Sequence, residues 1–454
     1  MISHCFASFF INFFLISLCW AIHQKVHYYP ENLGLDKVLP QDTLKFSQFA
    51  ARPLKSHRPF TTVWNIQTTN CKKKYNVDVD LSSFDIVQNP DQARSGDKMT
   101  IFYKPKLGLR PYIDKKDGSL KNGGIPQNGD IAAHLSKCKE DIEHILPDPN
   151  YDGLAVIDWE TWHPLWDRMA WSPFKIYQNM SINKVMNQFP HWTLPKVKEY
   201  AKLEYENAAQ MYMLATLELG RQMRPFAKWG FYLYPDCYNY NKTGVQFQCK
   251  QEEIELNDRI QWLFDESTAL FPSIYIGIWF KDSYKAVDWT KYRILEAFRV
   301  SEKRYSMMQA PVYAYNNLVY RHDRLFLSKQ DIISTSGTAA ILGTSGVVLW
   351  ADMVDISKDA CLELSAYVNT TLGPYMKLAS DAAAECSQDF CNGNGRCRLL
   401  SSLSEYNSKT IIPKLLNLFL IDSGVETTNL TVVCHCYHGW HGSNCDKTYD
   451  GQLL

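Results

Sequence analysis

The sequence predicts an α/β protein, a distorted TIM-like (β/α) barrel with a small disulfide-rich module at its C-terminal end. Three observations lead there. Short apolar runs alternate with longer helical patterns over roughly 300 residues. One of those runs ends in a pair of carboxylates. Six of the thirteen cysteines fall between Cys386 and Cys445.

The apolar runs come first. They are Phe60 to Trp64, Met99 to Tyr103, Leu154 to Trp159, Trp229 to Tyr234, Ser273 to Trp279, Pro311 to Tyr315 and Val347 to Trp350. Each is short enough for a strand buried on both faces. Between them lie helical stretches such as Lys196 to Met223, where Ala201, Tyr205, Ala208, Tyr212, Ala215 and Leu219 recur at spacings of three and four. Seven or eight strand–helix units suggest a parallel sheet closed into a barrel. A doubly wound open sheet is the alternative, but no glycine-rich phosphate loop follows the first strand.

Composition narrows the functional classes. Formal net charge is +0, which argues against a globally basic nucleic-acid binder but leaves room for a local basic groove facing an acidic polysaccharide. Aromatic residues make up 13%; rings of this kind stack on sugar faces, and they are also ordinary core material. At the N-terminus Phe6 to Leu18 is almost unbroken apolar sequence followed by Cys19-Trp20-Ala21, the pattern of an export signal. The run Ile411 to Ile421 is interrupted by Pro413 and Lys414, so it does not read as a membrane span. The expected product is a secreted or lysosomal protein without a transmembrane segment. Sequons at Asn179, Asn241, Asn369 and Asn429 fit that route. With Cys5 and Cys19 in the signal, eleven cysteines remain, an odd number, so at least one is unpaired.

The strand exit LAVIDWETWHP, Leu154 to Pro164, carries the chemistry. On a strand, side chains two apart share a face, so Asp158 and Glu160 point together while Trp159 turns away. Two carboxyls held that close do not ionise independently, and one keeps its proton to higher pH. A protonated carboxyl is what a glycosidic leaving group requires. The tripeptide alone would more often be a cap or surface charge. Its position after a buried run, at the end of a barrel strand, favours catalysis.

These residues resemble the animal hyaluronidases, glycoside hydrolase family 56, whose motif at this strand is DWE-x-W-R-P. Similar segments are RPFTTVWN (Arg58 to Asn65), MTIFY (Met99 to Tyr103), GGIPQN (Gly123 to Asn128), WGFYLYPDCYNY (Trp229 to Tyr240), ALFPSIY (Ala269 to Tyr275) and GVVLW (Gly346 to Trp350). The resemblance implies an endo-β-N-acetylhexosaminidase that cuts hyaluronan, with chondroitin as a second candidate, and needs no cofactor or metal. Glu160 would protonate the leaving oxygen. The substrate's own acetamido oxygen would attack the anomeric carbon with retention, outside the usual two-carboxylate scheme. Asp158 would orient that acetamido group, with Tyr275 as its partner. Tyr103 and Tyr232 would line the cleft, Trp350 would stack on sugar, and Arg293 would face the uronate. Asn65 and Asp236 are further cleft-wall positions.

One departure stands out. His163 occupies the place of the family arginine, exchanging a permanent charge for a titrating one. Three consequences are open: an acid-active enzyme, a shift toward chondroitin, or a weakened site that binds glycosaminoglycan without cutting it, as an adhesion protein would. Thr338 likewise replaces a family glutamate at an expected helix start, where packing alone could be affected.

The C-terminal cysteines follow Cys386-x4-Cys391-x5-Cys397 and Cys434-x-Cys436-x2-Gly-Trp-x-Gly-x2-Cys445, an epidermal-growth-factor-like ending too small to hold a core without bridges. Sequence alone does not choose the connectivity. The resemblance implies Cys71–Cys361, Cys237–Cys249, Cys386–Cys397, Cys391–Cys434 and Cys436–Cys445, leaving Cys138 over. The expected organisation is a signal at 1–21, an extension at 22–57, the barrel at 58–380 and the EGF-like module at 381–454, acting as a monomer.

Overall fold

The computed structural model describes residues 49–240, 247–352, 357–401 and 430–448. The expected signal and most of the extension, with Asn241 and Asn429, lie outside the described residues. Along the chain run β1 (Thr61–Trp64), β2 (Met99–Tyr103), β3 (Tyr112–Ile113), β4 (Leu120–Lys121), β5 (Leu154–Asp158), β6 (Lys228–Phe231), β7 (Tyr313–Asn317), β8 (Gly346–Trp350), β9 (Gly395–Ser401), β10 (Leu430–Cys436), β11 (Trp440–His441) and β12 (Lys447–Thr448). The described chain forms two compact units. One holds Phe102–Pro149 and Asp158–Pro225, and the other holds 49–101, Asn150–Ile157 and everything from Phe226 onward.

The larger unit is built on two three-stranded sheets, ordered β1-β8-β7 and β2-β5-β6. Both sheets pair parallel strands: Thr61 sits against Gly346 in the first and Leu154 against Lys228 in the second. Leu154, Ala155, Val156 and Ile157 are fully buried, as strands covered on both faces demand. Between the sheets only single bridges occur, Tyr232 with Phe271, Leu270 with Val312 and Ser273 with Tyr315. The eight-stranded closed ring expected from the sequence is therefore not formed by regular ladders among the described residues. Two causes are visible. The run from Ser273 is preceded by Pro272, which has no N–H to give a ladder. The run from Trp229 ends early because Leu233 takes φ 77°, turning the chain out of the extended region just before Pro235.

Helix Lys285–Glu302 covers one flank of this unit. Near β8, residues Ile333–Gly337 form a π-helical turn that runs straight into Thr338–Ile341. Thr338 is thus inside a continuous helical stretch rather than at its start, buried, and its hydroxyl donates to the Ser334 carbonyl at 2.8 Å. At the C-terminal end, helix Gly373–Cys391 runs across position 380 and supplies Cys386 and Cys391 to the β9–β10 hairpin. Among the described residues five disulfides are formed, Cys71–Cys361, Cys237–Cys249, Cys386–Cys397, Cys391–Cys434 and Cys436–Cys445. Gly439 and Gly442 take φ 95° and 97° in the turns that bring Cys436 to Cys445.

The smaller unit is mainly helical: Ile131–Ile145, Lys175–Gln188 and Leu194–Met223, with the short β3–β4 hairpin. Asp130 caps the first helix, its side chain accepting from the Ala133 amide at 3.0 Å. In the long helix Ala201, Tyr205, Tyr212 and Ala215 are buried along the predicted stripe. Val197 and Ala201 pack on Val185 of the preceding helix, with Trp166, Phe189 and Trp192 around them. This helical bed carries the segment that follows β5.

Candidate active site

The site residues named from the sequence fall into two groups, one in each unit. In the smaller unit Asp158 ends β5 half-buried, Trp159 is buried and Glu160 is exposed. The Asp158 carboxyl is pushed up to about 7, first by burial and then by the charge of Glu160, with Arg110 acting in the opposite direction. Its Oδ1 has no hydrogen-bond partner. Tyr103 closes β2 in a half-buried position.

The carboxyls rest on a fixed backing. Trp162 donates its ring N–H to the Pro111 carbonyl at 2.7 Å. The Arg110 guanidinium, 3% exposed as a residue, lies over the rings of Trp159 and Trp162 at 4.9 and 4.8 Å and donates to the Thr161 hydroxyl. Trp159 meets the edge of His134, whose pKa burial lowers to about 3, so that imidazole is neutral. Beside it Cys138 is a buried free thiol, pushed well above the ordinary thiol value by desolvation. His163 is 8% exposed. Its ring stands edge-on to Phe174, its amide donates to Met169 Sδ at 3.2 Å, and its carbonyl accepts from Tyr205 at 2.8 Å.

The second group lies in the larger unit, at the ends of its strands. Tyr232 follows β6, Tyr275 follows the Leu270–Ser273 bridges, and Trp350 ends β8. Trp350 stacks on Tyr275 at 18° between planes, and Tyr232 meets both Tyr275 and Tyr315. Asn65, fully buried, donates to the Tyr315 hydroxyl at 3.0 Å while its Oδ1 has no partner. Asp236 and Arg293 form a closed ion pair at 3.0 Å. Arg293 also donates to Asn239 and to the Ser273 carbonyl, and lies over Tyr240 and Trp289. Its exposure is 2%. Burial opposes the guanidinium's charge, and Asp236 together with Tyr240 and Tyr232 outweighs it, so its pKa stands above the ordinary value. Of its nitrogens, only Nη2 lacks a hydrogen-bond partner.

The sequence reading missed Arg110, Thr161 and Asn239. Arg110 sits in the non-periodic stretch LGLRP about fifty positions before the motif it supports, and nothing local marks it. Tyr240 was visible only as one more aromatic in WGFYLYPDCYNY.

A carboxyl whose pKa is raised by burial and a like charge at a strand exit is suited to general acid catalysis, the chemistry of a glycoside hydrolase. The profile of the family described as Hyaluronidase matches residues 49–449, and the chain belongs to that family, glycoside hydrolase family 56. The hyaluronidase of Echis pyramidum leakeyi is 37% identical over 419 residues, covering 88% of this chain and 92% of that protein. Hyaluronidase-1 of Bos taurus is 37% identical over 419 residues, with 89% and 92% covered. Among solved structures, bee venom hyaluronidase in complex with a hyaluronic acid tetramer superposes with a TM-score of 0.65 at 31% identity, covering 69% of this chain and 98% of that one. No helix among the described residues is long and apolar enough to cross a membrane.

Proposed function

We propose that this protein hydrolyses hyaluronan internally at the β-1,4 bond between N-acetylglucosamine and glucuronate, with retention and through the substrate's own acetamido group. The observation that carries the reading is the Asp158 carboxyl, held up at about 7 beside Glu160 on the DWE segment. The likeness to a hyaluronidase whose structure holds a hyaluronic acid tetramer supports the substrate class. Glu160, the more exposed of the two, gives its proton to the leaving oxygen and afterwards takes one from water. Asp158 shares that proton and orients the acetamido group, and Tyr275 holds it from its hydroxyl. Trp350, stacked on Tyr275, offers a sugar platform; Tyr103 and Tyr232 line the path. Asn65 and Asp236 shape the wall, and Arg293 reaches a uronate only through the one nitrogen left without a partner. His163 acts by packing beneath the motif.

The same reading treats the two sheets and their bridges as the expected distorted (β/α) barrel, with residues 381–454 as an EGF-like module. It takes the chain through the secretory pathway as a monomer glycosylated at Asn179, Asn241, Asn369 and Asn429; of these Asn179 and Asn369 are exposed in the structure.

The test is size analysis of hyaluronan, and in parallel of chondroitin, after incubation from about pH 3.5 to about pH 7.5. Shortening that falls by a factor of about 10² or more in Glu160→Gln supports the hydrolase, that being the usual worth of a general acid. Retention on a hyaluronan column without shortening would replace it with a binding protein, the alternative that His163 raises. Shortening of chondroitin alone would overturn the substrate.

A further inference from the structure

The family motif carries an arginine where this chain has His163, yet the motif segment is not without a fixed cation. Arg110 arrives from the loop after β2. Its guanidinium spans the rings of Trp159 and Trp162 at 4.9 and 4.8 Å and donates to Thr161. Trp159 and Thr161 are the residues immediately before and after Glu160. The loop itself is pinned. Gly108 donates its amide to Asp141 at 2.8 Å, Asn122 holds the Arg110 carbonyl at 2.9 Å, and Trp162 holds that of Pro111. At Gly108, φ is 66° and an added Cβ would come 2.3 Å from Cys138 Sγ and 2.6 Å from His134 Nδ1, so only glycine lets the loop settle there.

We propose that Arg110 supplies the carboxyl pair with the permanent positive charge that the family carries at position 163, so that the arginine has in effect moved to another segment and His163 is left as a packing residue. Three features of the geometry support this. A guanidinium keeps its charge at every working pH, which a histidine does not. Buried between two indoles, that charge is poorly screened by water. His163 shows the opposite character, with its ring set against Phe174 and its backbone tied to Tyr205 and Met169. Glu160 and Arg110 act on Asp158; Lys104, His134 and Tyr177 each feel the Arg110 charge. His134 is neutral and Tyr177 is pushed up by burial, while Lys104 has Lys115 and Lys116 near it as well as Arg110. Lys104 has Asp114 beside it and lies over the Tyr112 ring. Arg110 is the cation seated on the motif.

Arg110 is a positioning residue in this scheme, and the inference rests on the roles proposed for Asp158 and Glu160. The experiment uses the whole chain with its disulfides formed, and reads the pH dependence of kcat/KM on hyaluronan together with the carboxyl titration of Asp158 by carbon-13 NMR. Arg110→Gln is expected to move both limbs of the pH profile upward by about one unit, the ordinary effect of losing a nearby opposite charge. Activity one unit below the acid limb then falls about tenfold. Adding His163→Arg to that variant is expected to bring both limbs back. Arg110→Lys, which keeps the charge and loses the planar fork, is expected to leave the limbs in place while lowering kcat. Limbs that stay put in Arg110→Gln, or that move and are not restored by His163→Arg, would overturn the proposal. If Arg110→Gln does not fold, the single variant His163→Arg decides: a second cation shifts both limbs downward, and an unmoved profile refutes the idea. The underlying reading fails separately. Full activity in Glu160→Gln would remove the catalytic assignment, while the Asp158 titration would still report whether Arg110 sets its charge.

Discussion

Arg293 and Arg110 are each buried against two aromatic rings, and their carboxylate neighbours differ. Arg293 lies over Tyr240 and Trp289 and closes a 3.0 Å ion pair with Asp236. Arg110 lies over Trp159 and Trp162, with its fork on a threonine hydroxyl, while the nearby Asp158 holds its proton up to about 7. In the first region the carboxylate meets its cation directly, and the Tyr240 hydroxyl and the Tyr238 amide complete its shell at 2.6 and 3.0 Å. In the second, burial and a like charge outweigh the cation, and one carboxyl oxygen has no hydrogen-bond partner. Burying a carboxyl costs least when its hydrogen bonds and charge are matched, and an unmatched one is the one whose pKa moves.

The largest effect expected from breaking the contrast is at the closed pair. Arg293→Leu leaves Asp236 buried without its cation and should cost about 3–5 kcal/mol, read as a lowered midpoint in urea. A loss under about 1 kcal/mol would show that the pair is not closed in solution.

The reverse substitution in the other region should stabilise. The folded Asp158 holds a proton that an unfolded aspartate, with an ordinary value of 3.8, has already released. Folding stability from this group is therefore complete below about pH 4 and is lost as pH rises toward about 7. Asp158→Asn removes that penalty. It should raise stability at pH 8 by about 4 kcal/mol and leave it unchanged at pH 3.5. Thermal melts at the two pH values give the comparison; equal gains at both would mean that packing, not ionisation, is responsible.

The smallest effect should come from an exposed pair in the same unit as Asp158. Lys202 and Asp167 lie 3.2 Å apart with side chains 38% and 42% exposed. Asp167→Asn should change stability by no more than about 0.5 kcal/mol and less still in high salt. A larger loss would show that charge alone, without burial, separates the two regions.

How far the sequence disclosed these arrangements depended on distance along the chain. Asp158 was legible as the end of a local buried run, whereas Glu160 lies two residues beyond the end of β5, where strand alternation no longer fixes its direction. The long helical stripe through Ala201, Tyr205, Tyr212 and Ala215 was legible because its spacing is local too. Arg110 was not, because its partners follow roughly fifty positions later and no periodicity joins them. The closure of Asp236 on Arg293 was hidden likewise: both residues were marked, but only the folded chain shows that they neutralise each other. The irregular edges of the sheets were partly foreseeable, since Pro272 stands in plain view. The positive φ at Leu233 has no sequence sign.

The β9–β10 ladder has one more implication. Its strands register from Gly395 with Cys436 to Ser401 with Leu430, and Cys391 is bonded to Cys434 behind them. A protease that nicked the chain anywhere between Ser401 and Leu430 would therefore release nothing. The two pieces would travel as a single species until a reductant was added, so maturation by such a cut would leave the intact mass in non-reducing gels and reveal two bands only with dithiothreitol.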